Sequence, residues 1–108
     1  WYRNRYRREA LRRLEGLPGT ESLAAEVNQL LKLCAMAACS RAEVARLSGP
    51  EWPCFLNGLC DDPPFDDAAS ELLAVGVYRG ETLNAGGQQQ LLAASRIWVR
   101  QHRNRYDD

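Results

Sequence analysis

No apolar run in this sequence is long enough to cross a membrane. Nothing in its 108 residues approaches the roughly 20 consecutive apolar positions that a span requires. Histidine occurs once, at His102, which leaves little for nucleophilic or acid–base chemistry that needs a base set beside its partner. A glycine-rich phosphate loop is also missing, since Gly86-Gly87 stands alone without Lys or Ser/Thr behind it. Charge is balanced, with 14 basic and 14 acidic side chains and a sequence pI of about 6.8. That balance argues against a nucleic-acid-binding domain, whose footprint is an excess of Lys and Arg. The opening segment has arginines with no apolar stretch behind them, so no signal peptide is read and a cytoplasmic domain is expected.

What is present is unevenly placed. Residues 1–13 carry six Arg against one Glu, and residues 96–106 carry four Arg and no acid. Asp61, Asp62, Asp66 and Asp67 gather between them. The start, Trp1-Tyr2-Arg3-Asn4-Arg5-Tyr6-Arg7-Arg8, runs two aromatics into an arginine cluster. That order matches the cytoplasmic exit of a transmembrane helix, where Trp and Tyr favour the headgroup layer and Arg stays on the untranslocated side. The plainer alternative is an amphipathic first helix with arginines on its solvated face. The tetrapeptide Arg-Asn-Arg-Tyr occurs at Arg3–Tyr6 and again at Arg103–Tyr106, with no longer repeat around either copy.

Four cysteines, Cys34, Cys39, Cys54 and Cys60, lack the two-to-four-residue pairing of structural zinc ligands. On a helix, Cys34 and Cys39 diverge by about 140° at 100° per residue, so they do not bridge. Packing roles are expected ahead of zinc or a disulfide. The acid pairs lack the alternating ligands and bidentate Glu of an EF-hand and read as a solvated loop.

The chain reads as one domain over residues 1–108, all-α, a small bundle of about five or six helices around a central apolar helix. In the first helix Tyr2, Tyr6, Ala10, Leu14 and Leu17 form one stripe, with the arginines largely off it. Gly16-Leu17-Pro18-Gly19 ends it. A second helix is expected from about Glu21 to Cys39 with Thr20 as its cap. Its inner face is Leu23, Val27, Leu30, Leu31, Cys34 and Ala38, and Leu33, Ala35, Met36 and Ala37 widen the apolar surface to nearly all sides. Such a helix belongs in the middle of a bundle. Ser40-Arg41-Ala42-Glu43 is a capping box, and Gly49 supplies a left-handed stop. Trp52, Phe55 and Leu56 mark a short helix started by Pro50 and Pro53. Asp66 or Asp67 caps a helix to about Val75, Gly76–Gly80 reads as extended, and a last helix ends near Asn104. That last helix turns Leu91, Leu92, Ser95, Trp98, Val99 and His102 inward. His102 is expected as a partly exposed helix-end side chain favoured by the C-terminal dipole.

Three stretches together carry a resemblance. They are Tyr6-Arg7-Arg8-Glu9-Ala10-Leu11-Arg12-Arg13-Leu14, the run from Leu30-Leu31-Lys32 through Ser40–Gly49 to Trp52, Phe55 and Leu56, and the Trp98 helix with Arg100 and His102. In this order they resemble DUF4381, a bacterial family of short single-pass membrane proteins of unknown function. The family often has proline where this chain has Ser40, and the cysteines are not part of its pattern. The resemblance implies a transmembrane helix before residues 1–8, which would make those residues a basic juxtamembrane segment. It places the domain on the cytoplasmic face of the bacterial inner membrane. Its expected partners are von Willebrand factor A domain proteins or MoxR-type AAA+ ATPases, whose genes accompany the family. No catalytic residue carries over, so a non-enzymatic accessory or adaptor domain without cofactor or metal is expected. Arg3, Arg5, Arg7, Arg8, Arg100 and Arg103 are the candidate contacts with an anionic membrane surface or a partner. A nucleic-acid-binding domain using the same basic ends is the alternative.

Overall fold

The computed structural model describes the backbone of residues 2–104 and the side chains of residues 5–104. Trp1, the Tyr2 and Arg3 side chains, and the second Arg-Asn-Arg-Tyr copy beyond Asn104 lie outside the described residues. Among the described residues six α-helices follow one another: α1 (Tyr2–Glu15), α2 (Leu23–Ala38), α3 (Arg41–Ala45), α4 (Glu51–Gly58), α5 (Asp67–Ala74) and α6 (Ala85–Gln101). A 3-10 turn at Gly76–Arg79 joins the last two, and no strand occurs among the described residues. No described helix is long and apolar enough to cross a membrane.

Local chemistry sets most of the boundaries. Ser40 Oγ accepts from the Glu43 backbone N–H at 3.0 Å, which starts α3. Asp66 Oδ1 accepts from Ala69 N–H at 2.9 Å and starts α5, while Asn84 Oδ1 does the same for α6 through Gly87 N–H at 2.8 Å. Each bond satisfies one of the donors that a helix start leaves without a partner. Gly49 has φ 56°, the left-handed conformation expected of the stop before α4.

Three boundaries differ from the sequence reading. Helix α2 starts at Leu23, because residues 20–22 turn first and Leu23 N–H bonds to Thr20 O at 3.2 Å. Thr20 is therefore not its cap. Residues 76–79 are helical rather than extended: Gly76 is buried close to α5, where an added Cβ would meet Leu72 Cδ1 at 2.8 Å. The bare backbone lets the chain fold back tightly at that point. Helix α6 ends at Gln101, and His102 continues in extended conformation.

Helix α2 lies at the centre, packing against α1, α3, α5, the 3-10 turn and α6. Its Leu23, Val27, Leu30, Leu31, Cys34, Ala35 and Ala38 are buried with Leu14, Val44, Trp52, Leu56, Leu72, Leu73 and Trp98 in one cluster, and Phe55 packs against it. Two indoles fix the interior with their N–H groups. Trp52 Nε1 donates to Asn28 Oδ1 at 2.8 Å, and Trp98 Nε1 donates to Leu56 O at 2.9 Å. A buried indole N–H left without an acceptor would cost about 1–3 kcal/mol, so these bonds specify how α4 seats between α2 and α6.

Candidate functional site

The first turns of α1 meet the end of α6. Arg7 lies one position off the apolar stripe of α1 and turns inward rather than to solvent. Its Nη1 donates to Val99 O at 2.9 Å and Arg100 O at 3.2 Å, and its Nη2 donates to His102 O at 2.8 Å. These carbonyls belong to the last turn of α6 and to the capping residue that follows it, where no internal donors are left and the dipole has its negative end. One guanidinium, rigid and forked, satisfies three of them.

His102 is 1% exposed, not partly exposed as its position at a helix end suggested. Its ring stacks on Trp98, with centroids 4.0 Å apart and planes 6° from parallel. Nδ1 lies 2.8 Å from Trp98 O, and only a protonated Nδ1 can bond to a carbonyl, so Nδ1 donates. Nε2 then accepts the Tyr6 hydroxyl proton at 2.7 Å, and Asn104 Nδ2 donates to the same Tyr6 oxygen at 3.3 Å. The Arg7 Nη1 to Nδ1 distance of 3.3 Å sets two donors side by side and is not a bond. Every proton in this chain is placed for a neutral imidazole. Burial, with the Arg7 charge beside the ring, lowers the His102 pKa to about 4 despite the bond to Trp98 O. The dipole that favours an exposed helix-end imidazolium is here answered by Arg7 instead.

Of the six arginines singled out from sequence, Arg5, Arg8, Arg100 and Arg103 are exposed; Arg7 is the clamp just described, and the Arg3 side chain lies outside the described residues. Arg103 is exposed yet held, donating to Asp61 Oδ1 and Gly58 O, both at 2.7 Å, while its backbone N–H reaches Leu59 O at 2.8 Å. The end of α6 is thereby fastened to α4 as well as α1. Because Arg7 joins the two helix ends, Arg5, Arg8, Arg100 and Arg103 share one end of the molecule.

One acid of each pair takes a structural position: Asp61 pairs with Arg103, and Asp66 caps α5. Among the described residues no group of three or more His, Cys, Asp or Glu is placed to hold a metal ion. None of the four cysteines is part of a disulfide among the described residues. Burial pushes the Cys34 thiol up to about 11 and raises Cys60, so neither offers a thiolate near neutral pH. Cys39 is also buried, but Cys54 is exposed on α4, unlike the packing role expected of all four. A thiol reagent added to the native protein should therefore modify Cys54 alone. The other three should react only with unfolding, and mass spectrometry of a time course would read both; early labelling of Cys34 would contradict its placement.

Comparison with known proteins adds a family. A family model described as Domain of unknown function (DUF4381) matches residues 1–101. No curated protein and no solved structure matches the chain.

Proposed function

The chain belongs to the DUF4381 family, and from that membership we propose that it is a non-enzymatic accessory domain working at an anionic membrane surface. The observation that carries this reading is the shared basic end. Arg5 and Arg8 on the first turns of α1 and Arg100 and Arg103 at the end of α6 are all exposed there. Near an anionic leaflet an exposed arginine contributes about 1 kcal/mol, and Arg103 less, because Asp61 pairs with it at 2.7 Å. In this reading the domain sits on the cytoplasmic face of the bacterial inner membrane, with residues 1–8 next to an anchoring helix. It holds a von Willebrand factor A domain protein or a MoxR-type AAA+ ATPase as its partner. The use of both His102 ring nitrogens in internal bonds supports a non-catalytic role for the one histidine.

Vesicle binding tests the first half. The protein should bind phosphatidylglycerol-containing vesicles, not pure phosphatidylcholine, and release them as salt screens the charges over about 8–10 Å. Arg5→Gln and Arg8→Gln should each lower the partition coefficient about fivefold, the equivalent of about 1 kcal/mol, with the fold intact. Arg7 is left out of that set because its loss strips the cap from α6. Equal binding to both vesicle types, or tight duplex DNA binding at physiological salt, would reject the membrane reading, the latter in favour of nucleic acid. Pull-down of the full-length protein with purified candidate partners tests the second half, and failure with both classes would remove it.

A further inference from the structure

A second surface differs from the basic end in both shape and charge. Between α5 and α6 runs a groove of about 570 Å³. Its floor is built from small and apolar side chains, Ala69 and Leu72 on α5 and Gly87, Leu91 and Ala94 on α6. Small residues at a floor let another backbone approach closely. At its edge Ile97 is 42% exposed, one of three large apolar side chains left in solvent among the described residues. Along α6 the groove extends from Gly87 to Ile97, about 15 Å at 1.5 Å per residue, or roughly three helical turns.

The rim carries one sign of charge. Asp66, Glu71 and Glu81 line the groove, and among the described residues no Lys or Arg does. Arg79 touches Glu81 at 3.9 Å, but both side chains are more than half exposed, so a partner's cation can replace that contact. The chain as a whole is neutral, so this local excess is a property of the groove rather than of the composition. An anionic lipid surface would be repelled here.

We propose that the α5–α6 groove is a docking site for an amphipathic helix of a protein partner, about three turns long, whose apolar face is flanked by Lys or Arg. The groove length matches the helix, its small-residue floor admits a close backbone, and the three carboxylates meet the flanking cations. Such helix-in-groove recognition places apolar anchors at helical spacing and leaves charge to set orientation and specificity. The proposal supplies the partner surface of the accessory-domain reading and rests on it.

The test uses the whole chain, isotope-labelled for NMR, titrated with an amidated Lys/Leu/Ala amphipathic peptide about three turns long. A Glu/Leu/Ala peptide of the same pattern serves as the counterpart. Shifts should be confined to residues 64–72, the segment around Glu81 and Leu83, and the groove face of α6, and the acidic peptide should produce none. Glu71→Lys with Glu81→Lys should weaken binding about tenfold, as expected for reversing two exposed charge contacts. Ala93→Trp, at an exposed position in the groove lining, should abolish binding by filling the space while leaving the circular dichroism unchanged. Arg12→Gln, on α1, should leave the affinity unchanged.

Equal binding of both peptides, shifts centred elsewhere, or affinity unmoved by the groove variants would overturn the proposal. So would self-association abolished by the same variants, because the occupant would then be a second copy of this chain. The titration contains no lipid, so its failure leaves the vesicle result standing, and failure with vesicles leaves the groove result standing.

Discussion

Trp98→Ala should destabilise the fold by about 3–5 kcal/mol, the range for truncating a fully buried large aromatic. Three losses coincide at that position. The indole is fully buried in the central cluster, its N–H is the donor to Leu56 O, and its face is the platform on which His102 stacks. Urea denaturation followed by circular dichroism reads the effect as a fall in midpoint with the slope unchanged. Trp98→Phe separates the contributions. It keeps most of the apolar volume and removes only the indole donor to Leu56 O, which still accepts from Leu59 N–H at 3.1 Å, and should cost about 0.5–1.5 kcal/mol. A loss below about 1 kcal/mol for the alanine variant would be too small for a core residue and would contradict the packing described.

The second large effect is a pH dependence. His102 has its pKa lowered from 6.5 to about 4 in the folded protein. The native state keeps the ring neutral in a range where the unfolded chain protonates it. Stability from this group is therefore fully present above pH 6.5 and is lost as pH falls toward 4. The slope in that window approaches about 1.4 kcal/mol per pH unit, for a total of about 3 kcal/mol. Denaturation at pH 7.5 and pH 5, compared between the protein and His102→Gln, isolates the term, because other groups titrating in the window act on both. The variant should show a flatter profile, and the His102 ring proton followed by NMR should titrate near pH 4. An NMR midpoint near 6.5 would place the ring in solvent and refute the hydrogen-bond chain.

Much of the fold is legible in the sequence because its signals are local. Ser40 and Glu43 lie three residues apart, and so do Asp66 and Ala69. The stripe Leu23, Val27, Leu30, Leu31 and Cys34 needs only helical periodicity to be seen. The site is less legible because its partners are remote. Arg7 sits beside Tyr6 on a helix otherwise rich in solvated arginines, and no local rule says that carbonyls 92 residues away require a donor. His102 follows the same logic: its position at a helix end suggests exposure, and only the arrival of α1 buries it. The Asn28–Trp52 bond is equally hidden, since an Asn on the inner face of an apolar helix gives no sign of which indole it will accept from. Gly76 is hard to read for another reason. A Gly-Val-Tyr-Arg-Gly stretch suits an extended connector until the close approach of Leu72 makes a tight turn the better solution.

The clamp from Arg7 to the end of α6 also bears on how long the fold persists once formed. Its hydrogen bonds join residues 92 to 95 apart, among the longest separations in the chain. Closing an unstructured loop of that length costs about 4 kcal/mol in chain entropy beyond a constant. If α2 to α6 condense first, α1 docks last, onto a surface already made, and its clamp forms late. Contacts formed after the rate-limiting step leave the folding rate nearly unchanged and act on unfolding instead. In that order Arg7 and Tyr6 would serve as a latch whose weakening shortens the lifetime of the native state while the protein still folds at its usual speed.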